Sequence, residues 1–211
     1  MEPRVGMLSA AGLRGRALLV RGADPNARIQ SDFMPYHIHR FGRGAQQEPP
    51  QVSQAGATPI LMAAASADVS AMRLLVEAGG DPKTATFDGT TPLMVAAGMG
   101  VNMGMRGADG VTDEIRSKIL ETVQLAFQLG NDVNAIGPDG RRAIHGAALY
   151  GLTDVIRFLA EKGADLDAQD MWGQSAMSIA LADPDGLVYR AHPNQGQDRP
   201  FGRPLQKDEA S

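Results

Sequence analysis

Short, nearly all-apolar stretches alternate along this chain with polar turns that carry glycine. At 143–149 the run Ala-Ile-His-Gly-Ala-Ala-Leu is followed by Gly151, then by a second stretch with Ile156, Phe158 and Leu159, closed by Gly163. The pattern predicts two short helices, about 143–149 and 154–162, joined by a tight turn. Upstream, Val69, Met72, Leu75 and Val76 fall at i, i+3, i+6 and i+7, another helical stripe. Ile115, Ile119, Val123 and Ala126 make a third stripe and predict a helix over 113–129, with Thr112 as N-cap and Asp113 and Glu114 favourable in its first turn. Near the start, Leu13, Ala17, Leu18 and Leu19 give a short helix face closed by Gly22. A last helix is expected over 175–182, where Asp183-Pro184-Asp185-Gly186 stops it.

These pairs recur with a fixed period. Thr58-Pro59 and Thr91-Pro92 lie 33 residues apart, as do Gly140 and Gly173, and Asp132 and Asp165. From Gly89 to Gly140, and from Asp81 to Asp132, the distance is 51, which is one period plus 18. Two independent landmarks therefore place a single 18-residue insertion in that unit. With Thr58-Pro59-Ile60-Leu61-Met62-Ala63-Ala64, Thr91-Pro92-Leu93-Met94-Val95-Ala96-Ala97 and the exits Gly22-Ala23-Asp24, Gly79-Gly80-Asp81, Gly130-Asn131-Asp132 and Gly163-Ala164-Asp165 in one register, the chain resembles ankyrin-repeat proteins over roughly 11–182. At 142–143, Arg-Ala stands where Thr-Pro is usual in that family, which weakens the start of the helix. The long insertions and the Gly22-Ala23-Asp24-Pro25-Asn26-Ala27 exit resemble bacterial-type ankyrin proteins.

The resemblance implies an all-α ankyrin-repeat solenoid. A partial repeat is expected at 1–28, an inserted loop at 29–55, and repeats at 56–86, 87–136, 137–169 and, in part, 170–182. Pro35, Pro49, Pro50, Gly42 and Gly44 argue against a helix in the loop. The polar, proline-bearing stretch 183–211 is expected to be disordered. Because the usual turn and much of the first helix of the opening repeat would precede Met1, the chain reads as starting mid-repeat, either as a poor N-terminal cap or, by preference, as a piece of a longer protein. Stacking makes one continuous core from thin units. Leu75, Ala126 and Leu159 should form one row of its spine, and Met72, Val123 and Ile156 the other.

Composition narrows the function. A net charge of −4 gives no general affinity for nucleic acid, although seven arginines against three acids up to Arg43 make the N-terminal end basic. These arginines read as the solvated face of a terminal repeat. There is no cysteine, hence no disulfide, thiol nucleophile or Cys-based zinc site. No apolar run approaches the roughly 20 residues of a membrane span, so no membrane association is expected. His37-Ile38-His39 has metal-like spacing on an extended segment but lacks a third ligand. His145 occupies the family's histidine position, which implies a structural bond to the neighbouring turn. Gly98-Met99-Gly100 and its surroundings follow a helix and lack a βαβ context, so no dinucleotide loop is read there. No cofactor and no catalytic residue are expected.

The resemblance further implies binding through turn tips and the concave first-helix face. By position, the expected partner-binding residues are Phe87, Asp88, Thr90, Asp139, Arg141, Met171, Trp172 and Gln174, with Met62, Val95 and Gly146 on the same side. Phe87, Arg141 and Trp172 should line one edge, and Trp172 is equally readable as a lid over the last half-repeat. The reading is a monomeric, non-catalytic protein-binding module whose partner is another protein. The alternative is an accessory part of an enzyme or metal protein, with a site formed by the 29–55 and 98–111 loops. No compartment is assigned.

Overall fold

The computed structural model describes residues 9–30, 54–99 and 112–181. The described residues all belong to the unit that ends at Leu181. The 29–55 loop beyond its ends, the 98–111 loop beyond Met99, the stretch 183–211, and His37, His39 and His192 lie outside them.

Among the described residues eight α-helices follow in order: α1 Ala10–Val20, α2 Pro59–Ala65, α3 Val69–Glu77, α4 Pro92–Ala96, α5 Asp113–Gln128, α6 Ala143–Leu149, α7 Thr153–Glu161 and α8 Ala176–Leu181. Among the described residues there is no strand, only an isolated antiparallel bridge between Gln169 and Ser175. The first helices α2, α4, α6 and α8 pack in one row; the second helices α1, α3, α5 and α7 pack in another. This is the expected all-α solenoid.

Local chemistry sets each helix start. Thr58 Oγ1 and Thr91 Oγ1 accept the Leu61 and Met94 N–H groups at 3.3 Å, and Pro59 and Pro92 take the first helical position, where no N–H is needed. At α6 the missing threonine is compensated from inside the helix. His145 Nδ1 accepts the Arg142 N–H at 3.0 Å, and the Arg142 guanidinium goes instead to Asp165 Oδ2 at 2.8 Å.

The core follows the two expected rows with one exception. Leu75, Ala126, Leu159, Met72 and Val123 are buried, but Ile156 is only partly covered. Leu13 and Leu18, read from the sequence as part of a packed face, are exposed; α1 lies beside α3, and Leu19 is its partly covered side chain against the core. The middle second helix departs from its neighbours. α5 has 16 residues against nine in α3 and α7, and its Phe127 meets Phe158 edge to face, centroids 5.8 Å apart.

Candidate functional site: the row of turn tips

Each repeat begins with a tight turn before its first helix, and four such tips stand in register at 54–57, 87–90, 138–141 and 171–174. The first pair is fastened tip to tip. The Phe87 N–H donates to Ala55 O at 2.9 Å, and a Cβ on Gly56 would stand 2.6 Å from Phe87 N, so the approach requires glycine there. Arg28 reinforces this pair: its Nε donates to Gly56 O at 2.9 Å, its Nη2 to Ala85 O at 2.6 Å, and its guanidinium lies 4.4 Å from the centre of the Phe87 ring. The last pair is fastened likewise, with the Met171 N–H donating to Asp139 O at 2.7 Å.

Asp170, which sequence reasoning did not single out, is the hub of the last tip. Its Oδ1 accepts the Trp172 and Gln174 N–H groups at 3.0 and 2.9 Å, and its Oδ2 lies 3.4 Å from Arg141 Nε. The carboxylate is wholly enclosed, so these bonds are what permit its burial. The signal was available in the sequence, since Asp170 stands three residues before Gly173 where Thr86 stands before Gly89. Thr86 does a similar task, its hydroxyl accepting the Thr90 N–H at 2.9 Å.

The expected contact residues divide accordingly. Phe87, Asp88, Asp139 and Met171 are exposed. Trp172 and Gln174 are half-buried. Thr90 and Arg141 are buried, so the structure corrects their placement on an open edge. Both follow the turn glycine, as Ala57 does, and that position points under the tip in all three repeats. Arg141 spends its guanidinium inside the protein, on Asp170 and on the face of the Trp172 ring 4.9 Å away. Val95 and Gly146, expected on the open first-helix face, are buried as well, and Met62 is half-buried. A Cβ on Gly146 would lie 2.9 Å from Met99 N and 3.0 Å from Ala97 O, which shows how closely α6 approaches the end of α4.

Electrostatics along the row are acidic. Partial desolvation at the tip, with Asp170 and Asp88 nearby, holds the Asp139 carboxyl above its ordinary value against the opposing pull of Arg141. His145 is enclosed, and desolvation pushes its pKa below the ordinary 6.5. Since Nδ1 accepts from Arg142, Nε2 carries the proton and donates to Ala168 O at 3.1 Å. The ring is a neutral strut between repeats. Among the described residues no group of three or more side chains is placed to hold a metal, and no helix is long and apolar enough to cross a membrane.

The tips and helices thus define a repeat scaffold that presents an edge of surface groups. Comparison with known proteins gives it a family. The ankyrin-repeat family model matches residues 139–171. A cyclin-dependent kinase 4 inhibitor B from Bos taurus is 30% identical over 126 residues, covering 59% of this chain and 82% of that protein. A neurogenic locus notch homolog protein 1 from Xenopus tropicalis is 28% identical over 173 residues, covering 74% of this chain. A human Notch-regulated ankyrin repeat-containing protein is 31% identical over 71 residues, 34% of this chain and 59% of that protein. The chain spans only 6% of the length of the Notch relative. It belongs to the ankyrin-repeat family.

Proposed function

We propose that this chain is a non-catalytic protein-binding module that holds a partner protein along its tip edge. The observation that carries this reading is the pairing of exposed apolar and acidic groups at the tips: Phe87 with Asp88 on a tip bonded to the one before it, and Met171 with Asp139 across the bonded last pair. Such a row offers apolar contact at low entropic cost, because the tips are already fixed. Exposed Ile136, just before the third tip, adds to the same apolar surface. Asp88 and Asp139 favour a partner segment in which lysine or arginine flanks apolar residues, a match that quickens encounter more than it tightens the complex. Trp172 contributes one half-exposed side of its ring, with Arg141 stacked on it. The kinase-inhibitor relative is named for acting on another protein, which agrees with a binding role. The bacterial-type reading rests on the two insertions and the 22–27 exit alone.

The test is capture of a basic-apolar partner identified by crosslinking through a photoreactive group at position 88. Phe87→Ala and Met171→Ala should each leave the helical circular dichroism unchanged and weaken capture by about 1–2 kcal/mol, the hot-spot scale. Capture that survives both substitutions would place the binding face elsewhere.

A further inference from the structure

We infer that the two ends of the stack are complementary halves of one repeat and that copies of this chain associate head to tail, α8 of one copy packing on α1 of the next. The inference does not rest on tip-edge binding.

The repeat register shows which residues ought to be covered. Met177 on α8 falls at the position of Ile60, Leu93 and Ile144, all at most 1% exposed, yet Met177 is 65% exposed. Leu181 falls at the position of Ala64, Ala97 and Ala148, which are buried, and is itself 78% exposed. At the other end, Leu18 on α1 falls at the position of Leu75, Ala126 and Leu159, at most 9% exposed, and is 62% exposed. Within a complete repeat these positions face one another: a Cβ on Gly80 would lie 2.8 Å from both Ile60 Cδ1 and Leu75 O. Among the described residues α8 is a first helix with no second helix upon it, and α1 is a second helix with no first helix beneath it. The surface each lacks is the surface the other offers.

Two further observations choose a second copy as the occupant. The partly covered Ile156 on α7 sits in the row of Met72 and Val123, which the next second helix covers; α1 of a following copy would fall on it. Charge agrees. Residues 9–30 carry four arginines against one aspartate, whereas 153–181 carry five acids against two bases. The bracket between repeats continues too. Asn26 and Asn134 accept the Asp81 and Asp165 N–H groups, and Asp167, in the same register, would accept that of Asp24 in the next copy. Arg14 lies where Thr122 and Val155 are buried, and its guanidinium would reach the acidic rim while its stem packs. Such a contact is heterologous, so it propagates into open chains or closes into rings.

The experiment is sedimentation of the full chain over a wide range of concentration, with Leu18→Asp and Met177→Asp. Both side chains are exposed in the single copy, so melting temperature and helical signal should stay at the wild-type values. Wild type should associate increasingly with concentration, and more weakly as salt rises. Each variant alone should lose association at least about tenfold. An equimolar mixture of the two should form dimers and stop there, because one good α8 end meets one good α1 end. A wild type that stays monomeric throughout overturns the proposal, as does association that persists in both variants or a mixture that remains monomeric. If Leu18→Asp melts early, Arg16→Glu combined with Arg21→Glu on the exposed rim of α1 takes its place, and if Met177→Asp does, Asp167→Lys at the other end takes its place, with the same mixing outcome expected.

Discussion

At the first joint of the stack the Asn26 amide donates to Gly79 O at 3.1 Å and its oxygen accepts the Asp81 N–H at 2.7 Å. At the last joint Asn134 does the same with Gly163 O and the Asp165 N–H, both at 2.9 Å. Between them the equivalent residue is Lys83, lying over Gly130, and the reach across comes from the other side, Asn131 Nδ2 donating to Pro82 O at 3.0 Å. The tips place their gap one joint further on. Phe87 and Met171 donate to the tip before them, whereas Pro138, in the same register, has no N–H to give. The joint at Lys83 thus keeps its tip bond, from Phe87 to Ala55. The joint at Pro138 keeps the Asn134 bracket and adds packing: the Phe127–Phe158 contact, and α6 drawn against the end of α4 at Gly146. Equivalent joints in one solenoid can thus be held by hydrogen bonds at some places and by close apposition at others.

Four measurements would break or sharpen that contrast. The largest effect is expected from Leu159→Ala. Leu159 is fully buried, so its truncation leaves a cavity that should cost about 2–5 kcal/mol in urea unfolding. A loss below that range would mean that the repeat collapses onto the smaller side chain. Gly146→Ala comes next. The added methyl meets backbone on two sides; overpacking of this kind costs about 1–3 kcal/mol, more than the roughly 1 kcal/mol gained in helix propensity. The net should be a lower melting temperature, and an unchanged or higher one would refute the close apposition.

The third concerns pH. His145 has a lowered pKa when folded, so below about 6.5 the unfolded chain binds a proton that the native state refuses. Stability from this residue is complete above 6.5 and is lost as pH falls toward the folded value. The Asp139 carboxyl, raised above its ordinary 3.8, acts in the opposite sense at lower pH. Denaturation curves between neutrality and about pH 5 should show this decline, flattened in His145→Gln; equal slopes would exclude His145 as the source. The smallest effect, and the only gain, is expected from Lys83→Asn, which would place the outer bracket in the middle joint. Two solvent-facing bonds should add about 0.5–1 kcal/mol. No change would show that the middle joint is already saturated by Asn131.

Helix positions were legible because the 33-residue spacing gives each repeat several chances to declare itself. The helix expected at 143–149 is found with those bounds, the one expected at 154–162 is shifted by one residue to 153–161, and the one expected at 113–129 ends one residue earlier. Burial at the tips was less legible. Thr90 and Arg141 are polar residues beside turn glycines, which reads as exposure, but Thr90 bonds back to Thr86 and Asp88, and Arg141 reaches Asp170 and Trp172 of the neighbouring tip, on which no pattern within one repeat reports. The same limit applies at the ends. Leu18 looks like core because its equivalents are core, and only the absence of a facing helix among the described residues makes it surface.

The ends of the 29–55 insertion are clipped together where it leaves the stack. Ile29 donates to Ala57 O at 3.0 Å and accepts the Gly56 N–H at 2.6 Å, so that Ile29 closes the first tip as Thr86 and Asp170 close theirs, and Arg28 spans the mouth. This makes the position a natural cloning site. A closed mouth does not sense the length of what passes through it, and lengthening a flexible loop twofold costs only about 0.6 kcal/mol. Residues 31–53 should therefore accept replacement by a short linker, an epitope or a whole inserted domain while the repeats on either side fold as before.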